Sequence, residues 1–269
     1  MAITAADVKK LRDATCAGMM DAKKALTEAD GDFAQAIEGL RISGLAKQAK
    51  RADREASNGI VAGRGGILIQ VAAETDFVAK NAEFVGLADK IVEAVATSGA
   101  TDVASANAAP LEGNTVEGAV MELGAKLGEN LSLAAVANFD GTSHLYLHRR
   151  AADLPPQVGV LVEYSGGDDT LAHQVSMQIA AMSPTFVSRD QVPADVVENE
   201  RRIAEATARE EGKPEGALSR IVEGRLGGFF KDVALLDQPA VWEDKKSVGD
   251  IVTAQGAEVT RFVRFAVGA

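Results

Sequence analysis

The chain has 269 residues, more than the usual size of one domain, and 46% of them are hydrophobic, so we predict a folded protein of two or more modules. A formal net charge of −11 argues against a nucleic acid as the main partner, because binding to a phosphate backbone relies on Lys and Arg. The single cysteine, Cys16, excludes an intramolecular disulfide and a CxxC metal or redox pair, and fits a reducing compartment.

The first residues do not resemble an export signal. Charged side chains stand where a signal peptide would need an apolar run: Asp7, Lys9, Lys10 and Arg12. No later segment approaches the ~18 uninterrupted apolar residues of a membrane-spanning helix. We therefore expect a cytoplasmic protein with no membrane partner.

Three short helices are predicted in the first 44 residues. Thr4 and Asp7 have the spacing of a capping box before a helix that begins near Ala5. A second helix carries apolar residues at helical spacing from Met19 until the turn signal Asp30-Gly31.

The third of these helices begins after Asp32, whose side chain can cap it. Its apolar stripe comprises Phe33, Ile37 and Leu40, and we expect it to end before Gly44. The polar and basic segment 45–58 is then interpreted as a linker. A solvated linker is preferred there over a nucleic-acid patch because the whole chain is acidic.

A β-hairpin is predicted after this linker, with apolar runs at 60–62 and 67–71 on either side of Gly63-Arg64-Gly65-Gly66. A turn explains these glycines better than an anion site does. Helices follow at about 76–97 and 115–127, joined by a loop rich in Gly and Ala.

Further strands are predicted at 131–139, 144–148, 157–164 and 258–267, and the last of these could complete a sheet begun by 157–164. Strands and helices are mixed without strict βαβ alternation. The predicted fold class is therefore α+β.

The second half of the chain also contains several predicted helices. One is capped by Asp169 or Thr170, and a short last helix is capped by Ser247 with Asp250. Helices at 194–211 and 215–230 are separated by Gly212-Lys213-Pro214 and are predicted to form an antiparallel hairpin. Their apolar stripe, Val196 and Ile203, is thin, so this hairpin should be marginal unless a partner or the core supports it.

Common catalytic signatures are absent from the sequence. It has no P-loop, no GxSxG nucleophile elbow, no HExxH zinc motif and no complete EF-hand loop. His144 and His148 would lie ~13 Å apart along the predicted strand, too far to share one metal ion. Cys16 has no adjacent base and is interpreted as a structural thiol. We expect no catalytic residue, no metal site, no cofactor and no enzymatic activity.

Five segments carry a resemblance to one known family. They are LRDATCAGMMDAKKAL at 11–26, ETDFVAKN at 74–81, KLGENL at 126–131, HQVSMQIAAMSP at 173–184 and VEGRLGGFFKDVALLDQP at 222–239. Together they span nearly the whole chain and resemble the corresponding segments of the elongation factor Ts family. Two departures are a loop at 149–156 that looks longer than the family's usual connection, and an end at Ala269 without the further C-terminal helical module of some members.

The resemblance implies a particular organisation of the chain. Residues 1–53 would form a three-helix module similar to ubiquitin-associated domains, together with a linker. Residues 54–139 and 140–269 would form the N- and C-subdomains of an α+β core with antiparallel sheets, and a helical hairpin at about 190–228 would be inserted in the second.

The resemblance also implies a function and a site. Members of the family are guanine nucleotide exchange factors that bind EF-Tu, and their TDFV segment disturbs the region that holds magnesium beside GDP. Here that segment is Thr75, Asp76, Phe77 and Val78. Direct nucleotide binding is not implied, and a dimer of heterodimers with EF-Tu is one arrangement to be considered.

Each of these sites has an alternative that the residues alone leave open. Phe77 falls on a helical stripe with Phe84, Leu87, Ile91 and Val95 and could be a core residue. The further candidates for partner binding are Leu11, Met19 and Met20, which could equally belong to the core of the small bundle. Two rival functions are an interaction adaptor without exchange activity and a hydrolase that uses unrecognised carboxylates.

Overall fold

A computed structural model describes residues 3–15, 17–49, 54–151 and 154–268, without the side chains of 45–49. Cys16, the linker residues 50–53 and Asp153 of the predicted long loop therefore lie outside the described residues. The fold combines helices with small antiparallel sheets, so the predicted α+β class is confirmed. Among the described helices, none is both long and apolar enough to cross a membrane.

The chain divides into two compact units. The first unit takes in the described residues of Met1–Asn138, Leu147–Gly159 and Phe265–Ala269. The second unit takes in Phe139–Tyr146 and Val160–Arg264. The division into parts at residues 53 and 139 stays a prediction.

Three helices open the first unit: α1 (Ala5–Thr15), α2 (Met19–Glu28) and α3 (Phe33–Ala49). The predicted caps are present, since Thr4 and Asp7 hydrogen-bond reciprocally and Oδ1 of Asp32 accepts the N–H groups of Ala34 and Gln35. Six buried side chains form the core of this bundle: Val8, Leu11, Ala22, Ala25, Leu26 and Ala36.

The predicted stripe of α3 is partly wrong. Phe33 and Leu40 pack against the bundle core, but Ile37 is exposed and Ala36 takes the buried position. A small residue at the centre lets the helices approach closely.

The rest of the first unit is a three-stranded sheet covered by helices. Its elements are β1 (Asn58–Arg64), β2 (Ile67–Ala73), α4 (Asp76–Ala79), α5 (Ala82–Ser98), α6 (Val103–Ala108), β3 (Pro110–Leu111), β4 (Asn114–Thr115), α7 (Val116–Leu127) and β5 (Leu131–Asn138). The main sheet has the order β1-β2-β5 and both pairings are antiparallel. The predicted hairpin is confirmed, with Arg64 opposite Ile67 across Gly65-Gly66.

The predicted end of the third helix at Gly44 is wrong, because α3 continues to Ala49. A Cβ added at Gly44 would lie 3.1 Å from Cβ of Ala125 in α7. Glycine therefore permits the close approach of α3 and α7, and this packing outweighs its low helix propensity.

The single helix predicted at 76–97 is also wrong, because it is divided into α4 and α5. Lys80 ends α4, and the side chain of Asn81 accepts hydrogen bonds from the N–H groups of Glu83 and Phe84 to start α5. A second helix N-cap inside an apolar periodic segment breaks the helical phase. The loop predicted after α5 contains α6, which a capping box between Asp102 and Ser105 initiates.

The remaining elements are β6 (Ser143–His148), β7 (Val158–Ser165), α8 (Asp169–Met182), α9 (Ala194–Glu210), α10 (Glu215–Val233), α11 (Val248–Ala254) and β8 (Glu258–Ala266). Their sheet has the order β6-β7-β8, so the predicted pairing of the last strand is confirmed. Asp168, rather than the predicted Asp169 or Thr170, caps α8. The capping box of Ser247 and Asp250 is present at α11.

The helical hairpin of α9 and α10 is confirmed, but its contact face differs from the prediction. Val196 and Ile203 are exposed. The buried contacts are made by Ala204, Val222 and Leu226, and ion pairs such as Arg201–Glu223 join the two helices. Alanine at the contact lets the two helices approach closely without a heptad of large residues.

Candidate functional site

The candidate site is the turn between β2 and α5, which contains the predicted residues Thr75, Asp76, Phe77 and Val78. Thr75 has an extended backbone and its hydroxyl accepts a hydrogen bond from the N–H of Val78 at 3.4 Å, so Thr75 is the N-cap of α4. Only one helical turn follows before Lys80. The sequence thus builds a short protruding turn directly after a buried strand.

The side chains of this turn point in opposite directions. Val78 and Ala79 are buried in the core of the first unit, whereas Phe77 is 81% exposed. Asp76 is also exposed, and its carboxylate lies 3.9 Å from the ammonium group of Lys80. The alternative in which Phe77 is a core residue is therefore wrong, while Phe84, Leu87, Ile91 and Val95 are buried as predicted.

Glu129, which lies outside this turn, stabilises it through hydrogen bonds to Thr75. Glu129 follows α7, whose C-cap, Gly128, has a left-handed backbone (φ 78°) that lets the chain reverse after the helix. The carboxylate of Glu129 accepts a hydrogen bond from the N–H of Thr75 at Oε2 (3.1 Å) and one from the hydroxyl of Thr75 at Oε1 (2.5 Å). Two charge-assisted hydrogen bonds therefore fix the residue that caps α4.

A reciprocal pair of hydrogen bonds lies next to this contact. Oε1 of Glu74 accepts the N–H of Asn130 at 2.6 Å, so residues 74–75 and 129–130 bind each other in both directions. The side chain of Asn130 donates to the carbonyl of Arg54 at 2.8 Å, and that of Asn58 donates to the carbonyl of Glu74 at 2.9 Å. The base of the turn is thus held by several hydrogen bonds, whereas its tip is exposed.

Sequence reasoning missed the roles of Glu129 and Asn130. Both belong to the KLGENL segment, which was recognised only as part of the family resemblance. The structure brings this segment to ETDFVAKN across 54 residues of chain, and no local spacing encodes such a contact. The only local signal in the sequence was Gly128, a residue type typical of a helix C-terminus.

The other predicted partner-binding residues lie in the N-terminal bundle. Met19 and Met20 begin α2 and are 48% and 77% exposed. Leu11 is fully buried between the helices of the bundle, so it supports this surface without forming part of it. Periodicity could not distinguish these cases because all three residues are apolar and occur at helix positions.

In the described parts of the chain, no group of three or more His, Cys, Asp or Glu residues has the geometry to hold a metal ion. The candidate site itself presents an exposed aromatic side chain, Phe77, on a turn held by hydrogen bonds. An aromatic residue of this kind can anchor a protein interface by entering a desolvated pocket.

Comparisons with known proteins identify the family. Residues 74–269 match the family described as elongation factor TS. The chain is 62% identical to the elongation factor Ts of Cutibacterium acnes over 269 residues, covering 100% of both chains. It is 59% identical to the elongation factor Ts of Mycolicibacterium vanbaalenii over 265 residues and to that of Mycobacterium avium over 269 residues, covering 98% of each chain in both cases. The predicted resemblance is confirmed, and the chain belongs to the elongation factor Ts family.

Proposed function

We propose that this protein is a guanine nucleotide exchange factor for EF-Tu in translation elongation. The observation that carries the proposal is the exposed Phe77 on a turn whose base is fixed by hydrogen bonds between Thr75 and Glu129. The family membership supports EF-Tu as the partner. No bond needs to be made or broken in this activity, so the protein acts as a binding factor and not as an enzyme.

The exchange mechanism that we propose is mechanical. Phe77 enters a pocket of EF-Tu near the site that holds magnesium and the GDP phosphates, and Thr75, Asp76 and Val78 complete the contact. GDP affinity in a GTPase depends on magnesium and on the phosphate cradle, so displacing an element that supports either one raises the dissociation rate of GDP. A loss of 1.4 kcal/mol of binding free energy corresponds to about a tenfold loss in affinity.

A braced turn suits this mechanism better than a flexible one. The side chain of Phe77 has to be held in place while the surface of EF-Tu changes. Ordering a loose loop on binding would cost part of the free energy that drives this change. The four hydrogen-bonded residues 74, 75, 129 and 130 reduce that cost because they order the base of the turn before binding.

Turnover of the complex follows from linkage. The coupling that weakens GDP when the factor binds must equally weaken the factor when nucleotide binds. Incoming nucleotide therefore releases the factor from EF-Tu. The factor itself needs no nucleotide site and no cofactor.

Met19 and Met20 form a second contact with EF-Tu in this proposal. Their side chains are exposed at the start of α2, and flexible thioethers adapt to a partner surface. Their contribution is affinity rather than nucleotide displacement. A dimer of heterodimers with EF-Tu stays a prediction of the family resemblance, and a cytoplasmic location stays a prediction of the sequence.

The deciding experiment measures release of a fluorescent GDP analogue from purified EF-Tu, with and without this protein. Stimulated release that saturates with increasing factor is expected. Binding to EF-Tu without stimulation would contradict the exchange activity and favour the adaptor alternative. Absence of binding would contradict the partner as well.

A further inference from the structure

Two of the three histidines of the chain meet on the second unit. His144 lies on β6 and His173 lies on α8, 29 residues later in the chain. Nε2 of His144 is 3.3 Å from Nδ1 of His173, and the ring planes are nearly perpendicular (79°). Sequence reasoning compared His144 only with His148, its neighbour on the same strand, and so it missed this pair.

The distance between the two nitrogen atoms fits shared coordination of a metal ion. A tetrahedral zinc ion with Zn–N bonds of about 2.0–2.1 Å places two imidazole nitrogens about 3.3 Å apart. A direct N–H···N hydrogen bond between the rings is the other explanation, and 3.3 Å is a long distance for one. The spacing of the two nitrogen atoms therefore matches that of two ligands of one metal ion.

We propose that His144 and His173 bind a divalent transition metal ion of the zinc type, through Nε2 and Nδ1 respectively. Imidazole nitrogen is a good ligand for zinc, copper and nickel and a poor one for magnesium, so the site discriminates against the magnesium ion of a GTPase. Water completes the coordination, because no third protein ligand adjoins the pair among the described residues. Binding is accordingly of modest affinity and reversible.

Both ligands are placed by regular elements rather than by loops. On α8, the neighbouring side chains Val175 and Ile179 are buried, which fixes the helix on the core of the second unit. The Tyr146 ring, two residues after His144 on the strand, packs edge-on against His173 with 5.4 Å between centroids. Preorganised ligands lose little conformational freedom on binding a metal.

The open side of the pair is accessible and has a negatively charged neighbour. His173 is exposed and His144 is half-buried, so solvent can reach the space between the rings. Asp169 lies one helical turn before His173 on α8, and its carboxylate accepts a hydrogen bond from the Tyr164 hydroxyl at 3.0 Å. A carboxylate at this position favours a cation over an anion.

A bound ion would connect β6 to α8 and stabilise the second unit. A ligand that binds only the folded state raises the unfolding free energy by RT ln(1 + [L]/Kd), so the melting temperature should depend on zinc concentration. At zinc concentrations about tenfold above Kd, the expected rise in melting temperature is about 2–5 °C. Magnesium at the same concentration should cause no such rise.

The test is a titration of the full-length protein with zinc chloride, followed by the imidazole ¹H–¹⁵N signals of the three histidines. His144→Gln, His173→Gln and His148→Gln assign the signals and serve as variants, with circular dichroism as the check of folding. We expect the signals of His144 and His173 to shift together at one zinc ion per chain, while the signal of His148 stays unchanged.

The two ligand variants should each weaken zinc binding about tenfold or more and abolish the rise in melting temperature. His148→Gln is the matched control and should bind zinc as the wild-type protein does. Wild-type zinc affinity in either ligand variant would overturn the proposal, as would the absence of a zinc-dependent shift at His144 and His173. EF-Tu takes no part in this experiment, so its outcome is independent of the proposed exchange activity.

Discussion

Thr75 and Glu129 are joined by two hydrogen bonds to one carboxylate, from the backbone N–H at 3.1 Å and from the hydroxyl at 2.5 Å. Thr75 caps the single helical turn that carries Phe77. The carboxylate of Glu129 thus fixes the N-terminus of a helix too short to be stable by itself. The exposed ring of Phe77 depends on this contact for its position.

Glu129 has no proposed contact with EF-Tu. Replacing it with Ala should nevertheless slow the exchange of GDP, because the turn that carries Phe77 loses its two hydrogen bonds. Hydrogen bonds to charged groups contribute about 1.5–3 kcal/mol each, and part of this loss appears as disorder of the turn. We expect the second-order rate constant of stimulated GDP release to fall about 3- to 30-fold. Stopped-flow measurement of GDP release over a range of factor concentrations gives this constant.

Two further variants separate a positioning role from a general one. Thr75→Val removes the hydroxyl that donates to Glu129 and caps α4, so the double variant with Glu129→Ala should lose less than the sum of the two single variants. Glu117→Gln removes an exposed carboxylate in the first turn of α7 and should leave the rate unchanged. Additive effects of Thr75→Val and Glu129→Ala would mean that the contact does not position the turn.

Phe77→Ala tests the aromatic anchor itself. Truncation of an interface anchor costs about 2 kcal/mol or more, so stimulated release should fall about 30-fold or more. Stability should change by no more than about 0.5 kcal/mol because the ring is 81% exposed. Urea unfolding and GDP release, measured on the same preparation, check both statements.

The buried neighbour Phe84 gives the opposite expectation. Its side chain is fully buried, so Phe84→Ala should destabilise the fold by about 3–5 kcal/mol.

Phe77→Leu keeps an apolar side chain at the exposed position and should retain part of the exchange activity. Wild-type exchange by Phe77→Ala would remove this residue from the proposed mechanism.

Sequence reasoning succeeded where the signal is local. The caps at Thr4, Asp32 and Ser247 and the turn at Gly65-Gly66 are each encoded within a few residues. It failed where tertiary packing decides, as at Gly44, where the contact with α7 keeps α3 helical.

The candidate site shows the same contrast between features that the local sequence indicates and features that the tertiary structure decides. The resemblance of one contiguous segment to the family implies Thr75, Asp76, Phe77 and Val78 as site residues. The sequence spacing could not predict that Phe77 points away from the core. Residues 77 and 84 lie on one helical face only if a single helix contains both. Asn81 starts a new helix and breaks that phase. The contact of Thr75 with Glu129 is formed between segments distant in sequence, and its two halves carry no complementary local signal.

Gln178 gives a prediction about stability. This fully buried side chain in α8 donates to the side-chain oxygen of Gln238 at 3.1 Å and to the carbonyl of Pro239 at 3.2 Å, and it accepts the N–H of Val241 at 2.9 Å. Gln178→Leu leaves these groups without their partner inside the protein. We expect a loss of about 2–4 kcal/mol in unfolding free energy, measured by urea denaturation.

Gln174 is the matched control for this variant. It lies one turn earlier on the same helix and is only half-buried. Gln174→Leu should change the unfolding free energy by no more than about 0.5 kcal/mol. Equal effects of the two substitutions would mean that the hydrogen bonds of Gln178 are not the reason for its burial.

Acid should weaken the fold partly through Glu163 on β7. Arg261 donates a hydrogen bond to this carboxylate at 2.8 Å and the Thr260 hydroxyl donates another at 3.0 Å, and these bonds hold the pKa of Glu163 below its ordinary value of 4.5. A carboxyl with a lowered pKa in the folded state stabilises the fold above the unfolded pKa, and this contribution disappears as pH falls through the folded pKa. Because the side chain of Arg261 is 53% exposed, we expect no more than about 1 kcal/mol from the pair.

Glu163→Gln should therefore lower the unfolding free energy at pH 7 and make its decline below pH 4.5 shallower, as measured by urea denaturation at a series of pH values. Glu258→Gln, at an exposed position of β8, should leave this pH profile unchanged, and an unchanged profile in Glu163→Gln would exclude the pair as a source of acid sensitivity.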